Sequence, residues 1–145
     1  MLTKDFTTSK SPLGIAAVDC ELIYTTAGMS LARLTICSGD KKVMLDEHVR
    51  PDPAVPLDYA TRFSGIKEKD ISEATLDFEG MRKKLGELIG EETLLIGHGV
   101  SVLSVRDTSL ICAGLDNDLK ALRIIHRPDR IIDTALVSDL LLELR

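Results

Sequence analysis

The stretch "GIAAVDCELIYTT", residues 14–26, has the pattern of a buried strand and carries two acidic side chains at its centre. Asp19 and Glu21 interrupt a run of β-branched and small apolar residues. Residues i and i+2 of a strand project from the same face, roughly 6.6 Å apart, so these two anions would repel each other. A divalent cation removes that repulsion, and Mg²⁺ prefers carboxylate oxygens. The stretch therefore predicts a strand that carries part of a metal site.

The composition predicts one folded domain, and its net charge does not favour binding to nucleic acid. The chain has 145 residues, of which 44% are hydrophobic, and can bury one sizeable core. We expect a single domain over residues 14–145, preceded by a disordered polar segment, residues 1–13. The net charge of −5 does not attract a polyanion, so a nucleic acid would have to be bound by a local site.

Membrane and disulfide-linked partners are not expected. The sequence has no run of about 18 apolar residues and no apolar signal core near residue 1, which predicts a protein that is neither membrane-spanning nor secreted. Cys20, Cys37 and Cys112 are odd in number, widely spaced and outside any CxxC pair. This spacing argues against a disulfide framework and against a zinc site.

The hydrophobic pattern predicts strands first and interleaved helices later. We expect an antiparallel three-strand meander over residues 15–24, 29–38 and 43–49, followed by an irregular connection over 50–66. Helical spacing from Leu76 to Gly90 predicts an amphipathic helix, and the apolar run 93–98 is typical of a central parallel strand. A helix over 115–125, a strand over 130–133 and a helix over 134–145 complete the prediction. This order is typical of an α/β fold with a mixed sheet and packed helices.

A second element must supply a further carboxylate, because two metal ions need ligands from several directions. Asp118 is the best candidate, since it lies in a predicted helix whose apolar stripe would pack it against the sheet. That stripe consists of Leu115, Leu119, Leu122 and Ile125. An Asp-x-Glu pair alone is more often a solvated edge or turn, so the prediction depends on the three carboxylates together.

Six segments, in order, resemble the Rex-type 3′-5′ RNA exonucleases of the DEDDh superfamily: "VDCELIYTT", "LAR", "DYATRFSGI", "LLIGH", "NDLKALRIIH" and "IIDTAL". The resemblance covers residues 14–99 and 115–136 and implies a ribonuclease H-like fold. It implies that Asp19 and Glu21 form the first metal motif and Asp118 the second, with Asp19 binding both of two Mg²⁺ or Mn²⁺ ions, Glu21 one and Asp118 the other.

The same resemblance implies a reaction and a location. The substrate would be the 3′ end of RNA, with single-stranded DNA as an alternative, and a metal-activated water would release nucleoside monophosphates. Such a protein would process RNA in the nucleus, including the nucleolus, or in the cytoplasm. The oligomeric state is not predicted.

Five residues beside these motifs are candidates for holding the substrate. Tyr24 and Thr25 directly follow the Asp-x-Glu pair, and Arg62 and Phe63 lie in "TRFSG". An aromatic ring can stack on a base, and a hydroxyl can reach a phosphate or a sugar. Ordinary core packing is the more frequent role for a residue such as Phe63, and this alternative stays open. The resemblance implies that His98 closes the central strand beside the site as a supporting residue, not as a ligand.

The sequence departs from the family pattern in its third motif and in two segments. The family has a general-base histidine followed five positions later by a metal-binding aspartate, but none of His48, His98 and His126 has Asp at that spacing. Asp133 lies at a strand end and is not expected to replace the missing aspartate.

Residues 100–114 form an atypical insert and 137–145 an atypical tail, so the expected fold is C-terminally truncated. We interpret both segments as translated intron sequence, because Val-Ser follows the family-like sequence at or next to each junction.

The sequence therefore predicts an exonuclease fold with three carboxylates of a two-metal site and without a general base. Such a chain would be nearly inactive on RNA, because proton abstraction contributes about 10²- to 10⁴-fold to the rate. The alternative is a catalytically inactive module of the same fold that binds nucleic acid or protein.

Overall fold

A mixed sheet organises the part of the chain that the computed structural model describes, residues 12–98 and 114–135. Its strands are β1 (Ile15–Thr25), β2 (Gly28–Ser38), β3 (Val43–Arg50), β4 (Pro56–Asp58), β5 (Leu76–Asp77), β6 (Leu94–Gly97) and β7 (Ile131–Asp133). The helices are α1 (Thr61–Ser64), α2 (Glu68–Ser72), α3 (Phe78–Leu88) and α4 (Gly114–Leu122), and a 3-10 turn spans Pro128–Arg130. None of these helices is long and apolar enough to cross a membrane.

The strand order is β5-β3-β2-β1-β6-β7, and β4 pairs with β1 beside this path. Strands β1, β2 and β3 form the predicted antiparallel meander, whose first turn ends at Gly28 with a φ of 94° that favours glycine. Strand β6 runs parallel to β1 on one side and to β7 on the other. The prediction of a meander combined with central parallel strands is confirmed.

Two hydrophobic clusters hold the sheet. The larger one packs α3 and α4 against one face, because both helices carry apolar residues at helical spacing. It contains Ala16, Val18, Leu31, Leu34, Ile36, Leu45, Val49, Met81, Leu85, Ile89, Leu95, Leu115, Leu119, Leu122 and Ile124. In the smaller cluster, Ile23 and Ala32 of the sheet pack against Ile66 and Ile71. Because Ile23 follows Leu22 along β1, it points to the opposite face, so the segment with α1 and α2 covers that side.

Several element boundaries differ from the predictions. The segment 50–66, predicted as irregular, contains β4 and α1, which are too short to show a periodic pattern. Helix α4 ends at Leu122 instead of residue 125, because Arg123 adopts the left-handed conformation with a φ of 54°.

The last residue of the segment 1–13, for which the sequence predicts disorder, forms hydrogen bonds in the structure. The N–H of Leu13 donates to the carbonyl of Leu88 at 2.8 Å, and the Leu13 carbonyl accepts from Thr93 Oγ1 at 2.6 Å. Residues 1–11, the tail 137–145 and the insert 100–114, except for Gly114 at the start of α4, lie outside the described residues.

Candidate active site

Asp19 and Glu21 lie side by side on one face of β1. The pairing with β2 is regular through this stretch, with Asp19 opposite Thr35 and Glu21 opposite Arg33, and the register shifts only after Glu21. Strand alternation therefore directs both carboxylates to the same side, as the sequence predicts. Asp19 is exposed and Glu21 is half-buried.

Glu21 faces an arginine that is bound to another acid. Arg33 donates from Nε to Asp46 Oδ1 at 2.7 Å and from Nη2 to Asp46 Oδ2 at 2.8 Å. The pKa of Glu21 is accordingly raised, first by burial and second by the charge of Asp19, while Arg33 partly opposes the increase. The two β1 carboxylates are thus not neutralised by a dedicated cationic partner from the facing strand.

The edge of β1 beside these acids is open. Strand β6 pairs only with residues 15–17 of β1, and β4 pairs only with Tyr24 and Thr25. Within the described part of the chain, no strand covers this edge over residues 18–23. The carboxylate of Asp118 accepts a hydrogen bond from the backbone N–H of Cys20 in this gap. Because a buried N–H needs a partner, this bond brings the side chain of Asp118 against β1.

The three predicted ligands act on one another electrostatically. Burial, followed by the charge of Asp19 and smaller effects of Glu21 and Asp133, raises the pKa of Asp118 to about 7. The hydrogen bond from Cys20 works in the opposite direction. The pKa of the Cys20 thiol is also raised, by burial and then by Asp118, Asp19 and Glu21. The structure therefore brings Asp19, Glu21 and Asp118 into one strongly negative region.

Asp133 holds the beginning of the helix that carries Asp118. Its side chain is 6% exposed, and Oδ2 accepts from the N–H of Leu115 at 3.2 Å while Oδ1 accepts from the N–H of Ala135 at 2.9 Å. A carboxylate at a helix N-terminus satisfies free N–H groups and complements the helix dipole. Both oxygens of Asp133 are engaged in this way. Its position at the carboxyl end of a parallel strand is the sequence signal that could have indicated this role.

His98 follows β6 and is held in one orientation. Its Nδ1 lies 2.8 Å from Thr134 Oγ1, and that hydroxyl donates to the carbonyl of Gly97 at 3.1 Å. Because the hydroxyl proton is used for the carbonyl, Nδ1 of His98 is placed to donate to Thr134 Oγ1. Extending the parallel register beyond the Ala17–Ile96 pair places His98 level with Asp19. Its contact with substrate stays a prediction.

Tyr24 and Thr25 differ sharply in accessibility. Tyr24 is 50% exposed and can still contact a substrate. Thr25 is 4% exposed, and its hydroxyl donates to the Gly28 carbonyl at 2.8 Å and accepts from the Ala27 N–H at 3.1 Å. In contrast to the prediction of a substrate contact, Thr25 closes the turn between β1 and β2.

Arg62 and Phe63 lie on α1 at the surface. The Phe63 side chain is 85% exposed, which excludes the alternative that it belongs to the core. The guanidinium carbon of Arg62 lies 5.9 Å from the centroid of the Phe63 ring. An exposed aromatic ring beside a cation is suited to stacking on a nucleobase, so both residues stay candidates for substrate binding.

The carboxylates fit Mg²⁺ or Mn²⁺ in chemistry, since their oxygens are the ligands that these ions prefer. The raised pKa of Asp118 reflects a concentration of negative charge that a bound cation would relieve. As they stand, however, no three His, Cys, Asp or Glu side chains among residues 12–98 and 114–135 are grouped closely enough to hold one ion. Each ion would therefore be held by two of these carboxylates, with water or phosphate oxygens as its other ligands.

Comparison with known proteins identifies close relatives in sequence. "RNA exonuclease 3" of Yarrowia lipolytica is 40% identical over 131 residues, covering 85% of this chain and 15% of the relative. "RNA exonuclease 3" of Schizosaccharomyces pombe is 40% identical over 134 residues, covering 92% of this chain and 21% of the relative. The chain thus spans about a sixth to a fifth of the length of these proteins. No protein-family model matches it.

A solved structure has the same fold. The catalytic unit of Neurospora crassa Pan2, described as a protease and nuclease domain, matches 94% of this chain and 21% of its own length with a TM-score of 0.68 and 21% identity. At this identity the likeness concerns the fold alone. The mixed sheet with its packed helices matches the ribonuclease H-like exonuclease fold, as the resemblance in sequence predicts.

Proposed function

Because the chain belongs to the family of its relatives named RNA exonucleases, we propose that its Asp19, Glu21 and Asp118 hydrolyse RNA from the 3′ end and release nucleoside monophosphates. The observation that carries the proposal is the hydrogen bond between the Cys20 N–H and Asp118, which brings a helix carboxylate next to the β1 pair. Single-stranded DNA is the alternative substrate, since the same phosphodiester chemistry applies to it.

The three carboxylates would serve as metal ligands. Asp19 would bind both of two Mg²⁺ or Mn²⁺ ions, Glu21 one and Asp118 the other. Two such ions, when bound, activate a water and stabilise the leaving oxygen of a phosphodiester. Asp118 must release its proton before it can act as a carboxylate ligand, and its pKa of about 7 makes this step favourable at neutral pH and above.

Two further groups of the chain would support the reaction. His98 lies at the end of β6 with Nδ1 held by Thr134, and its Nε2 can form a hydrogen bond with a ribose hydroxyl. Asp133 keeps the first turn of α4 in place and thereby positions Asp118. None of His48, His98 and His126 has an aspartate five positions later, so no general base is assigned among these 145 residues, and we expect slow cleavage by this stretch of sequence on its own.

RNA binding without cleavage is the second candidate function. The observation in its favour is that no three potential ligands in the described part of the chain are grouped closely enough for one ion. The fold, the exposed Phe63 and the neighbouring Arg62 would then serve binding alone.

A single-turnover assay with excess protein separates the two functions. A 5′-labelled single-stranded RNA is incubated with the 145-residue chain and either Mg²⁺ or Mn²⁺, and parallel reactions contain Asp19→Asn, Asp118→Asn or Asp40→Asn. Asp40 is a charge-matched control, because it is exposed in the turn between β2 and β3 and binds Lys42 at 2.8 Å.

We expect slow stepwise shortening from the 3′ end, detectable with excess protein, by the wild type and Asp40→Asn, and none by Asp19→Asn or Asp118→Asn. RNA that is bound but not shortened with either metal would support the second candidate. Cleavage that persists in Asp118→Asn would contradict the proposed role of this residue.

A further inference from the structure

A pocket of about 600 Å³ lies at the end of α4 that is remote from Asp133. It is bounded by the β1–β2 turn, the connection from β3 to β4, the start of α3 and the end of α4. Its charged and aromatic lining residues are Arg50, Asp52, Phe78, Glu79, Lys120 and Arg123. The volume lies within the range of about 300–1,000 Å³ that small-ligand sites occupy. With three cations and two anions, the lining can receive an anionic group.

Arg123 and Phe78 form a stacked pair in this pocket. The guanidinium carbon of Arg123 lies 4.6 Å from the centroid of the Phe78 ring. Phe78 packs against the main hydrophobic cluster, which holds the ring in place, and Arg123 is exposed. Nucleobases stack on aromatic rings and on arginine planes. The pair therefore provides a rigid ring with a cationic plane above it.

The backbone of Arg123 supports a functional role for its side chain. Its φ of 54° is in the left-handed region, at the end of a helix where glycine is usual. The Arg123 N–H donates to the Lys120 carbonyl and the Ile124 N–H to the Leu119 carbonyl, both at 3.0 Å. A residue with a side chain costs conformational energy here, and such outliers are concentrated at functional sites.

The pocket and the candidate active site share one helix. Arg123 follows Asp118 by five residues, which corresponds to about 7.5 Å of helix rise. A strand whose 3′ end lies at Asp118 can thus reach the pocket with a nucleotide nearer its 5′ end.

We propose that this pocket binds an internal nucleotide of the RNA strand, with its base stacked on the outer side of the Arg123 guanidinium, which Phe78 supports from the other side. Arg50 and Lys120 lie in the same lining and contact the adjacent phosphate. The inference rests on the proposed function, because it takes the bound strand to be the RNA substrate. It assigns the binding of the strand to a surface that contains none of the proposed metal ligands.

Equilibrium binding without divalent cations tests the pocket separately from catalysis. The full chain is titrated into a fluorescent single-stranded RNA of about eight nucleotides in EDTA, a length within the range of single-strand binding sites. Arg123→Gly removes the guanidinium and also relieves the left-handed backbone, so it does not threaten folding. Lys41→Gly is the matched control, because Lys41 has a φ of 66°, is exposed and carries the same charge in the β2–β3 turn.

We expect Arg123→Gly to bind the RNA about five- to tenfold more weakly than the wild type, and Lys41→Gly to bind as the wild type does. Thermal unfolding of both glycine variants should occur at or above the wild-type temperature. Phe78→Leu, which keeps an apolar side chain in the core, should also weaken binding.

Equal RNA affinity of Arg123→Gly and Lys41→Gly would overturn the inference, as would a wild-type chain that does not bind RNA. Weakened binding of Arg123→Gly together with no cleavage in the metal assay would support the pocket and contradict the proposed exonuclease function. If the wild-type chain cleaves RNA but Arg123→Gly binds RNA as tightly as the wild type, the exonuclease function is supported and the pocket is contradicted.

Discussion

The carboxylate of Asp118 accepts a hydrogen bond from the backbone N–H of Cys20, and this bond joins α4 to the unpaired stretch of β1. It places a negative charge between the positions of Asp19 and Glu21, at a site where burial already disfavours ionisation. Such an arrangement is unfavourable for an isolated folded chain at neutral pH. It becomes favourable when a cation binds, which connects the stability of the fold with its proposed chemistry.

Asp118→Asn should stabilise the chain at alkaline pH. The pKa of Asp118 is raised from 3.8 to about 7 in the folded state, so this group favours folding below pH 4 and loses that contribution as the pH rises through 7. Asparagine keeps an acceptor for the Cys20 N–H without the charge. Allowing for solvent screening, we expect a gain of about 1–2 kcal/mol in the free energy of unfolding at pH 8 and almost none at pH 4.

Urea unfolding at the two pH values measures this difference. Asp40→Asn is the control, because the hydrogen bonds of Asp40 with Lys42 and Ser38 lower its pKa in the folded state, and its removal should give no gain at either pH. An equal gain for Asp118→Asn at pH 4 and pH 8 would disprove the electrostatic explanation.

Mg²⁺ or Mn²⁺ should raise the unfolding temperature of the wild-type chain, and the increase should grow up to about pH 7. A bound cation relieves the repulsion among Asp19, Glu21 and Asp118, whereas the proton of Asp118 competes with it at lower pH. A cation at ten times its dissociation constant stabilises by about 1.4 kcal/mol. Thermal scans in Mg²⁺ and in KCl of equal ionic strength measure the effect. The same increase in Asp19→Asn would show that the cation acts elsewhere.

Gly97→Ala should destabilise the contact between β6 and α4. A Cβ at Gly97 would overlap with Leu115 Cδ1, and Leu115 is 1% exposed, so its side chain is enclosed by other atoms. Overpacking of this kind costs about 1–3 kcal/mol. Gly14→Ala is the control, because its Cβ meets no atom within 4 Å. Urea unfolding of a double-mutant cycle measures this overlap. Leu115→Ala should lower the free energy of unfolding by less in the Gly97→Ala variant than in the wild type.

Phe63→Ala should leave the stability unchanged within about 0.5 kcal/mol, because the side chain is 85% exposed. If the ring stacks on a base, RNA binding in EDTA should weaken about fivefold or more. The neighbouring Ile66→Ala is the contrasting variant, since Ile66 is 1% exposed and its truncation should cost about 2–5 kcal/mol. Unchanged RNA affinity of Phe63→Ala would remove this residue from the proposed binding surface.

Local sequence patterns were sufficient for the main strands, for α3 and for much of α4. The alternation of "AAVDCEL" follows from the two-residue repeat of a strand, and it correctly placed Asp19 and Glu21 on one face of β1. The apolar spacing of Leu115, Leu119 and Leu122 correctly directed α4 onto the sheet. These features depend on backbone geometry that repeats within a few residues, so the sequence alone determined them.

The tertiary structure decided those features that depend on residues far apart in the chain. The hydroxyl of Thr25 is used within a turn, Phe63 is left uncovered, and Asp133 accepts a hydrogen bond from the first turn of α4. The stacking of Arg123, which has a left-handed backbone, on Phe78 requires the end of α4 to meet the start of α3. Local periodicity carries no information on such contacts, because each one is set by which other element occupies the adjacent space and satisfies the exposed polar groups.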